Sequence, residues 1–546
     1  MHKYFARRPW NVFNQLISHY SIPGEIVLDP FAGGGVTIVE SLKLRRRAIG
    51  VDVNPLATYI ASMEVRPLGL PSFEESFARL KHKVKSEIGL LYTTRCEKCS
   101  NDLAIADWIE WDENKKRPLQ LKYECDVCHE TRYKSASNAD RELAEKIDRK
   151  FSTFIKQRKL WYPETYVPPG DKSNSLISQG VSYFHELFTK RNLTALAILF
   201  DYINQVQGSD EREFLRFAFS SSLKWASRLS HLRGKIVEGW AMHAYWIYPE
   251  SLELNVWNIF ERRTRAVIRG KHYSHVQIGD YCKFAQSFSD ITLGSATCLI
   301  LNASSAQLPL PSDSVDSIIT DPPYGGNVNY GELSDFWWIW LNRAATAAKE
   351  GEAIINRTQG KSLHDYERIL VNVFSECYRV LKPDRYLVST FNSRDMRVVA
   401  SFVKAVSIAG FSLHPEGLLY QKPIRSYVTT FHAMQIGAFV GDFIFTFVKS
   451  TAAIADSKTE LPDVKRRLDE LIEECTGDES AETNLRILAY RTLIPFLARN
   501  AKLHPTDCED VVNYFETKIR ERDDYFCKLR KHIIEKRKRK FQRNRK

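Results

Sequence analysis

The residues best suited to chemistry form the loop TDPPYGG, where Asp321, Pro322, Pro323 and Tyr324 follow an apolar run. Exocyclic amines of nucleic-acid bases are poor nucleophiles, because the nitrogen lone pair is delocalised into the ring. The Asp321 carboxylate and the Pro322 carbonyl can accept the two N–H hydrogens of such an amine, which frees the lone pair to attack an electrophilic methyl group. The prolines stiffen the loop, and Tyr324 can stack on a base taken out of a helix. This chemistry needs positioning without a covalent intermediate, although the loop alone could also be an ordinary turn.

A second chemical signal is the glycine-rich turn DPFAGGG (29–35), where a predicted strand becomes a helix. Glycine lets the backbone approach a ligand closely, and the start of a helix offers unpaired N–H groups. Asp52 ends the next predicted strand, where it can accept hydrogen bonds from ribose hydroxyls. The spacing of Phe31, Gly33 and Gly35 differs from the GxGxxG of dinucleotide dehydrogenases, and a tight structural turn is the alternative. Two such loops, each after a strand of one sheet, favour a cofactor site beside a catalytic site.

Four of the ten cysteines form two CxxC pairs that are separated by 25 residues, Cys96 with Cys99 and Cys125 with Cys128. Each pair can place two thiolates on one tetrahedral Zn²⁺. Four cysteines fill the coordination shell, so the sequence predicts a structural zinc in a ribbon of short strands, with paired redox thiols as the alternative. His129, beside the last cysteine, is predicted to lie at the surface. No cysteine follows a proline, which argues against the thiol nucleophile of cytosine-C5 chemistry.

The elements that must position these loops are predicted to form an open α/β sheet. Hydrophobic periodicity predicts a helix over 9–20. Apolar runs predict strands at 25–30, 48–53, 297–302, 314–324, 385–391 and 441–448. Strand signals of this kind are missing between about 66 and 290, so the simplest architecture is one sheet with a large insertion. After about 451 the pattern becomes helical and charged.

Within the insertion, aromatic residues alternate with basic ones over 239–275. Such a segment can stack on bases and bind phosphates, but it can equally be a core helix with solvated arginines. The candidate DNA contacts are Arg262, Arg263, Arg265, Arg269 and Lys271. The candidate core residues are Trp240, Tyr245, Trp246 and Trp257. DFWWIWL (335–341) is predicted to be a buried helix behind the catalytic loop, and Asn327 and Asn329 are predicted to shape a base pocket.

Composition sets the broad class. The 546 residues suggest several modules, and the 44% hydrophobic content can supply a sizeable core. Of the net charge of +12, residues 528–546 contribute +10, and this basic tail could bind phosphates or simply be solvated. The uninterrupted apolar stretches fall short of the roughly 20 residues that cross a bilayer, and the first residues lack the apolar segment of a secretory signal. With the scattered cysteines, this predicts a cytoplasmic protein that does not enter a membrane.

The runs HKYFARRP, DPFAGGG and TDPPYGGNVNYGELSDFWWIWL, with the CxxC pairs, resemble amino-methylating DNA methyltransferases of the DPPY type. They are most similar to the zinc-ribbon-containing adenine-specific DNA methylases of the DUF1156-type group. The similar stretches cover about residues 1–60 and 297–450, together with the ribbon. The resemblance implies a Rossmann-like class I methyltransferase sheet, S-adenosyl-L-methionine as cofactor and DNA as partner. The order of the two loops resembles the alpha arrangement, in which the inserted region recognises the target.

The resemblance also implies roles for single residues. Trp10 and Asn11 would lie near the methionine part of the cofactor. The cofactor loop would comprise Asp29, Phe31, Ala32, Gly33 and Gly35. Asp52 would hold the ribose, with Asn54 beside it. Ser304 stands near the position where relatives often carry an acid that faces the adenine of the cofactor. Asp321, Pro322, Pro323 and Tyr324 would form the catalytic loop, whose aspartate form is commoner among adenine enzymes.

The sequence therefore predicts an S-adenosylmethionine-dependent DNA methyltransferase that acts on adenine N6 of a flipped base. Cytosine-N4 methylation of DNA, guanine-N2 methylation of RNA and a non-catalytic nucleic-acid-binding module are the alternatives. The basic tail is expected on phosphates, and a restriction or defence-system partner is a further expectation. The predicted divisions are the first methyltransferase part (1–65), the zinc ribbon (66–140), a helical and aromatic insertion (141–295), the second methyltransferase part (296–450) and a helical C-terminal region (451–546).

Overall fold

The first part of the chain folds as the predicted helix–strand–helix–strand series. A computed structural model describes residues 1–5, 7–342, 349–393, 395–422, 441–450, 460–474 and 481–520. Its first elements are α1 (Trp10–Tyr20), β1 (Ile26–Asp29), α2 (Val36–Lys43), β2 (Arg47–Asp52) and α3 (Pro55–Val65). All four residues of β1 are buried, as expected for a parallel strand that is covered on both faces.

The insertion folds as a helical layer around a small antiparallel sheet. Its elements are α4 (Leu70–Gly89), β3 (Thr93–Thr94), β4 (Ala104–Asp112), β5 (Arg117–Cys125), β6 (Glu130–Ser135), α5 (Asn138–Arg158), α6 (Asn174–Ser178), α7 (Lys190–Asn204), α8 (Ser209–Ala226), β7 (His231–Arg233), β8 (Ile236–Glu238), β9 (Glu250–Leu254), α9 (Val256–Gln277) and α10 (Phe288–Thr292). Strands β3 to β6 form a meander, and β9 pairs with β4. The ribbon predicted for 66–140 thus shares its sheet with a strand from 141–295, and the division between these two segments stays a prediction.

The second part of the chain completes the main sheet and adds a helical end. Its elements are β10 (Cys298–Asn302), β11 (Ser317–Thr320), α11 (Tyr330–Leu341), α12 (Leu363–Val380), β12 (Tyr386–Phe391), α13 (Met396–Ala409), β13 (Ser412–Gln421), β14 (Asp442–Val448), α14 (Leu461–Glu474) and α15 (Ala481–Asn500). Residues 505–520 are also helical. The basic tail at 528–546 lies outside the described residues.

The main sheet has seven strands in the order β10-β2-β1-β11-β12-β14-β13. The first five are parallel, whereas β14 is antiparallel to both of its neighbours. The chain runs outward from β1 through β2 to β10, and then outward in the opposite direction from β11. The order therefore reverses between β1 and β11, and in open α/β sheets ligands bind at the carboxyl ends of the strands beside such a reversal.

Helix α11 joins the sheet to the insertion. It starts just after the TDPPYGG loop, and the side chains of Trp337 and Trp340 are fully buried. Trp337 stacks on Trp240 of the insertion with ring centroids 5.0 Å apart, and Trp240 stacks on Tyr245 at 4.8 Å. The prediction of a buried helix at 335–341 is confirmed. Because this helix packs on the insertion, the catalytic loop rests on a core that both parts of the chain share.

None of the helices in the described part of the chain is both long and apolar enough to cross a membrane.

Candidate active site

Three acidic residues meet at one edge of the main sheet. Asp29 ends β1, Asp52 ends β2 and Asp321 directly follows β11. These strands are parallel neighbours in the order β2-β1-β11, so their carboxyl ends lie side by side. The site is therefore assembled at the point where the strand order reverses.

A cavity opens at this edge, and it spans about 880 Å³ when the space open to solvent is included. Nine predicted site residues line it: Asp29, Phe31, Ala32, Gly33, Asp52, Asn54, Ser304, Asp321 and Pro323. Other lining residues include Tyr4, Arg7, Arg8, Phe13, Tyr330 and Glu352.

The glycine turn is shaped by close backbone contacts. Gly35 has φ +75°, and a Cβ at this position would lie 2.8 Å from the Cβ of Ala61. Gly33 has φ +46°, and a Cβ there would lie 3.2 Å from the ring of Tyr4. A left-handed backbone without side chains is what glycine supplies. Gly33 lines the cavity, whereas Gly35 does not and instead is the N-cap residue of α2.

Asp29 holds the elements of the site together. Its carboxylate accepts hydrogen bonds from the Thr37 hydroxyl at 2.6 Å and the Thr320 hydroxyl at 2.7 Å. The Phe31 N–H donates to the same group at 3.1 Å. Burial raises the pKa of Asp29 to about 6, and these three donors oppose the shift. The residue thus ties β1 to α2, to β11 and to the glycine turn.

Asp52 fixes the glycine turn from the neighbouring strand. Its carboxylate accepts the N–H groups of Gly33 and Asn54, each at 2.8 Å. Burial raises the pKa of Asp52 to about 6, against the effect of these two donors. Asn54 caps α3 through the Leu56 N–H and donates to the Ser334 hydroxyl of α11 at 2.7 Å. The turn, the strand end and α11 are thereby held in one arrangement.

Asp321 lies in a network of charged and hydroxyl groups. Arg8 Nε donates to its carboxylate at 2.7 Å, and the Thr390 hydroxyl donates at 2.7 Å. The Tyr324 hydroxyl also donates to it. Burial raises the pKa of Asp321 to about 6, and the Arg8 guanidinium acts in the opposite direction. Arg8 also pairs with Asp442 at 2.9 Å, so one arginine connects the catalytic loop to β14.

Tyr324 and the prolines surround this carboxylate. The Tyr324 ring lies 5.0 Å from the Arg8 guanidinium and 4.7 Å from the Phe391 ring. The Pro323 carbonyl accepts a hydrogen bond from the Tyr366 hydroxyl at 2.7 Å, which anchors the loop to α12. Pro322 is buried. The loop is therefore fastened at several points around Asp321.

Five predicted site residues do not line the cavity: Trp10, Asn11, Gly35, Pro322 and Tyr324. Trp10 is 59% exposed, and its ring lies 4.6 Å from the ammonium group of Lys43. Asn11 is also exposed. Helix α1 instead turns Phe13 toward the cavity, so the structure brings a different residue of the predicted helix to the site.

Sequence reasoning missed several residues that the fold adds to the cavity. Arg8 comes from the run HKYFARRP, where nothing in the residue types marks a partner more than 300 positions away. Tyr4 and Tyr330 stack with ring centroids 5.8 Å apart. Glu352 comes from the connection between α11 and α12. Both tyrosines lie in runs that carry the resemblance, but the spacing of these tyrosines and of Glu352 does not predict that they line the cavity.

The four paired cysteines converge in the ribbon. Their sulfur atoms all lie within 4.8 Å of one another. The Sγ atoms are 3.6 Å apart for Cys96 and Cys128, 3.5 Å for Cys99 and Cys125, and 3.8 Å for Cys99 and Cys128. A tetrahedral zinc with Zn–S bonds of about 2.3 Å requires sulfur atoms about 3.8 Å apart. The cluster is therefore compatible with zinc, and His129 is exposed as predicted.

The basic side chains of 239–275 do not form one surface. Lys271 is 3% exposed and donates to the backbone carbonyls of Met63 and Glu64, so the prediction that it contacts DNA is wrong. Arg263 is half-buried and donates to the Ser221 hydroxyl. Arg262, Arg265 and Arg269 are exposed. The aromatic residues Trp240, Tyr245 and Trp257 are core, whereas Trp246 is exposed.

Two segments of the chain, residues 2–63 and 315–471, match the model of a family described as DNA methylase, N6_N4_Mtase. They lie on either side of the insertion and contain the glycine turn, Asp52 and Asp321.

Individual relatives are more distant. The type II methyltransferase M.MvaI of Kocuria varians is 20% identical over 319 residues, which are 58% of this chain and 50% of that protein. The type II methyltransferase M.MjaII of Methanocaldococcus jannaschii is 26% identical over 83 residues, which are 15% of this chain and 14% of that protein. The chain thus spans half or less of the length of these relatives. The chain is thus similar to DNA methylases in the segments that carry the glycine turn, Asp52 and Asp321.

Proposed function

We propose that the protein is an S-adenosylmethionine-dependent DNA methyltransferase that acts on adenine N6 of a flipped base. The observation that carries this proposal is the shared cavity of Asp52, the glycine turn and Asp321 at the reversal of strand order. The matches of 2–63 and 315–471 to DNA methylases support it, because they contain these same residues. The seven-stranded order supports a Rossmann-like methyltransferase sheet.

The residues of the cavity fit S-adenosylmethionine. Gly33 lines the cavity without a side chain, so a ligand can approach its backbone closely. The Asp52 carboxylate, which lines the same cavity, can accept ribose hydroxyls. Phe31 and Ala32 offer apolar contacts beside them, and Ser304 lies where the adenine is expected. When bound, the cofactor supplies an electrophilic methyl group. In this proposal the chain holds that group near Asp321, which lines the same cavity.

Asp321 and the Pro322 carbonyl accept the amino hydrogens of the target base in this proposal. The carboxylate must be ionised for this role, and Arg8, Thr390 and Tyr324 all favour its charged form through hydrogen bonds. The same contacts orient the carboxylate. The Tyr324 ring then stacks on the flipped base, which requires its hydroxyl contact with Asp321 to adjust when the base enters.

The form of the loop supports one choice of target position. The aspartate form of the motif is commoner among adenine enzymes, which favours adenine N6. Cytosine N4 is the second candidate, because the name of the matching family covers both positions. Both amines need the same pair of acceptors, so the geometry of Asp321 serves either base.

Zinc has a structural role in this proposal. Four thiolates would fill its coordination shell and leave no position for a substrate. The cysteine cluster lies in the ribbon sheet, apart from the cavity residues, so zinc would stabilise the insertion.

The experiment that tests the proposal is transfer of a labelled methyl group from S-adenosylmethionine to unmethylated genomic DNA, with structured RNA in parallel. Mass spectrometry of the nucleosides identifies the product. We expect 6-methyladenine from DNA and no labelled nucleoside from RNA. A product of N4-methylcytosine would show that the target base is cytosine. Label on RNA alone would show that DNA is not the substrate. The absence of label on both would contradict the proposed activity.

A further inference from the structure

A lysine between two exposed aromatic rings connects α9 to α1. Lys43 is the last residue of α2, and its ammonium group lies 4.6 Å from the ring centroid of Trp10 and 5.6 Å from that of Tyr273. Trp10 begins α1 and is 59% exposed, whereas Tyr273 belongs to α9 and is 50% exposed. A cation attracts the face of an aromatic ring, so the lysine holds the two rings next to each other at the surface.

Arg269 extends this surface along α9. It is exposed and lies four residues before Tyr273, so the two side chains are neighbours on one face of the helix. Arg262 and Arg265, the other exposed arginines of α9, each pair with an acid. Arg269 has no ion-pair partner among the described residues. We refer to Arg269, Tyr273, Lys43 and Trp10 as the α9–α1 surface.

The acids beside the α9–α1 surface are buried and already paired. The Glu40 carboxylate accepts hydrogen bonds from the Lys43 ammonium group and from the Asn14 amide, each at 2.8 Å. Glu64 pairs with Arg7 at 3.0 Å, and both of these acids are buried. The groups that the surface turns outward are therefore two rings and a guanidinium. Arginine and tyrosine side chains of this kind contact the phosphates and sugars of nucleic acids.

The α9–α1 surface ends beside the cavity. Trp10 follows Arg8 by two residues, which span at most about 7 Å of chain. The Arg8 side chain lines the cavity and donates to the Asp321 carboxylate at 2.7 Å. Phe13, about one turn after Trp10 in α1, also lines the cavity. A nucleic-acid strand on this surface would thus pass close to the side of the cavity that holds Asp321.

We propose that the α9–α1 surface binds the sugar–phosphate backbone of the DNA strand that carries the target base. The Arg269 guanidinium pairs with a phosphate, and the rings of Tyr273 and Trp10 pack against deoxyribose. The proposal rests on the proposed function, and it assigns Trp10 to the DNA rather than to the cofactor. Backbone contacts position a strand without reading its sequence, so they form on duplex DNA of any sequence.

Fluorescence anisotropy with a labelled duplex of mixed sequence tests the proposal at several salt concentrations. In Arg269→Gln one phosphate contact is lost, so we expect the slope of log K against log salt concentration to fall in magnitude by about 1. In Trp10→Ala we expect the affinity to fall by about fivefold with the slope unchanged, because the indole ring carries no charge.

Two matched controls come from outside the α9–α1 surface. Arg491 is exposed on α15 and, within the described part of the chain, likewise lacks an ion-pair partner. Trp246 is 53% exposed, close to the value for Trp10. We expect Arg491→Gln and Trp246→Ala to bind the duplex with the affinity and the salt dependence of the wild type.

Calorimetry with S-adenosylhomocysteine separates a contact with DNA from a contact with the cofactor. We expect Arg269→Gln and Trp10→Ala to bind this ligand as tightly as the wild type does. A loss of ligand affinity in Trp10→Ala would assign the tryptophan to the cofactor and would overturn the proposal for this residue. Thermal unfolding should give wild-type melting temperatures for both variants, because both side chains are exposed.

Two results on DNA would overturn the proposal. The first is binding of the duplex by Arg269→Gln and Trp10→Ala with wild-type affinity and salt dependence. The second is an equal loss of binding in Arg491→Gln and Trp246→Ala, which would show that the effects do not belong to the α9–α1 surface. If the wild type binds S-adenosylhomocysteine but not the duplex, the result contradicts DNA as the substrate and thus the proposed function itself.

Discussion

At the scale of single residues, the charge of Asp321 is set by opposing effects. Burial favours the neutral acid, whereas Arg8 and two hydroxyl groups favour the anion. Arg8 is itself held between Asp321 and Asp442. The balance of these effects gives the Asp321 carboxyl group a pKa of about 6. The group is therefore mostly ionised at neutral pH, as an acceptor of amino hydrogens must be.

The turnover number at saturating cofactor and DNA is expected to fall as the pH decreases below about 6. The role of Asp321 requires the anion, which predominates above its pKa of about 6 and is lost below it. The fall should approach about tenfold per pH unit, because one proton inactivates the site. Methyl-transfer rates between pH 5 and 8 measure the effect, and a flat profile would contradict this role.

Replacing Arg8 by Gln should move this acidic limb to higher pH. Removal of an adjacent opposite charge raises the pKa of a carboxyl group by about one unit or more. The same pH series on Arg8→Gln measures the shift. Arg7→Gln is the matched control, because Arg7 pairs with Glu64 rather than with Asp321. An unchanged midpoint in Arg8→Gln would show that the arginine does not control the ionisation of Asp321.

The residue types at both loops made the three acids predictable, but their partners were not. Asp52 and Asp321 each end or follow an apolar run, and this local signal is visible along the chain. Arg8 and Glu352 reach the cavity through contacts between distant segments. Trp10 illustrates the opposite case, because helical phase decides which face of α1 is buried, and here Phe13 is buried while Trp10 is exposed.

At the scale of elements, the sheet is well specified by sequence except at its antiparallel edge. Six strands follow continuous apolar runs, and five of them agree with the predicted bounds within one residue. Strand β11 is shorter than the predicted 314–324, by three residues at its start and four at its end. Strand β13 was missed, because Pro415 and Gly417 interrupt it and its pairing with β14 shifts register between Leu413 and Leu418. Proline and glycine are tolerated in such an edge strand, but they remove the signal by which a strand is recognised.

The ribbon should contain one zinc ion per chain. Elemental analysis of the purified protein measures it, and Cys125→Ser is expected to lose the metal and to lower the melting temperature by about 5 °C or more. Cys508→Ser is the control, since this buried cysteine lies outside the cluster. If the purified wild type contains no zinc, and if Cys125→Ser melts at the same temperature as the wild type, the alternative of redox thiols is favoured.

At the scale of the whole molecule, the insertion and the methyltransferase sheet are joined by a common core. Helix α11 carries buried tryptophans into the insertion, and the Glu332 carboxylate accepts the N–H groups of Asp171 and Lys172 from an insertion loop. The segment 239–275 supplies β9 and α9 to the same core. In this segment most aromatic residues pack in the core, whereas several arginines are exposed. The sequence alone could not distinguish this arrangement from a nucleic-acid-binding surface.

Charge at this scale is concentrated in the basic tail. Deleting 528–546 is expected to weaken binding to duplex DNA and to leave S-adenosylhomocysteine binding unchanged. If the tail contacts about five phosphates, the slope of log K against log salt concentration should fall in magnitude by about 4 to 5. Fluorescence anisotropy at several salt concentrations measures it, and an unchanged slope would mean that the tail is merely solvated.

We propose that Asp321 binds the amino group of the base and that Asp52 binds the cofactor. Single-turnover methyl transfer by Asp321→Asn tests these roles most directly. We expect transfer to fall by about a hundredfold or more, with S-adenosylhomocysteine affinity unchanged in calorimetry. Asp52→Asn, measured alongside, should instead lose cofactor affinity. Transfer by Asp321→Asn at the wild-type rate, or loss of transfer and cofactor binding together, would contradict the assignment of Asp321 to the base amine.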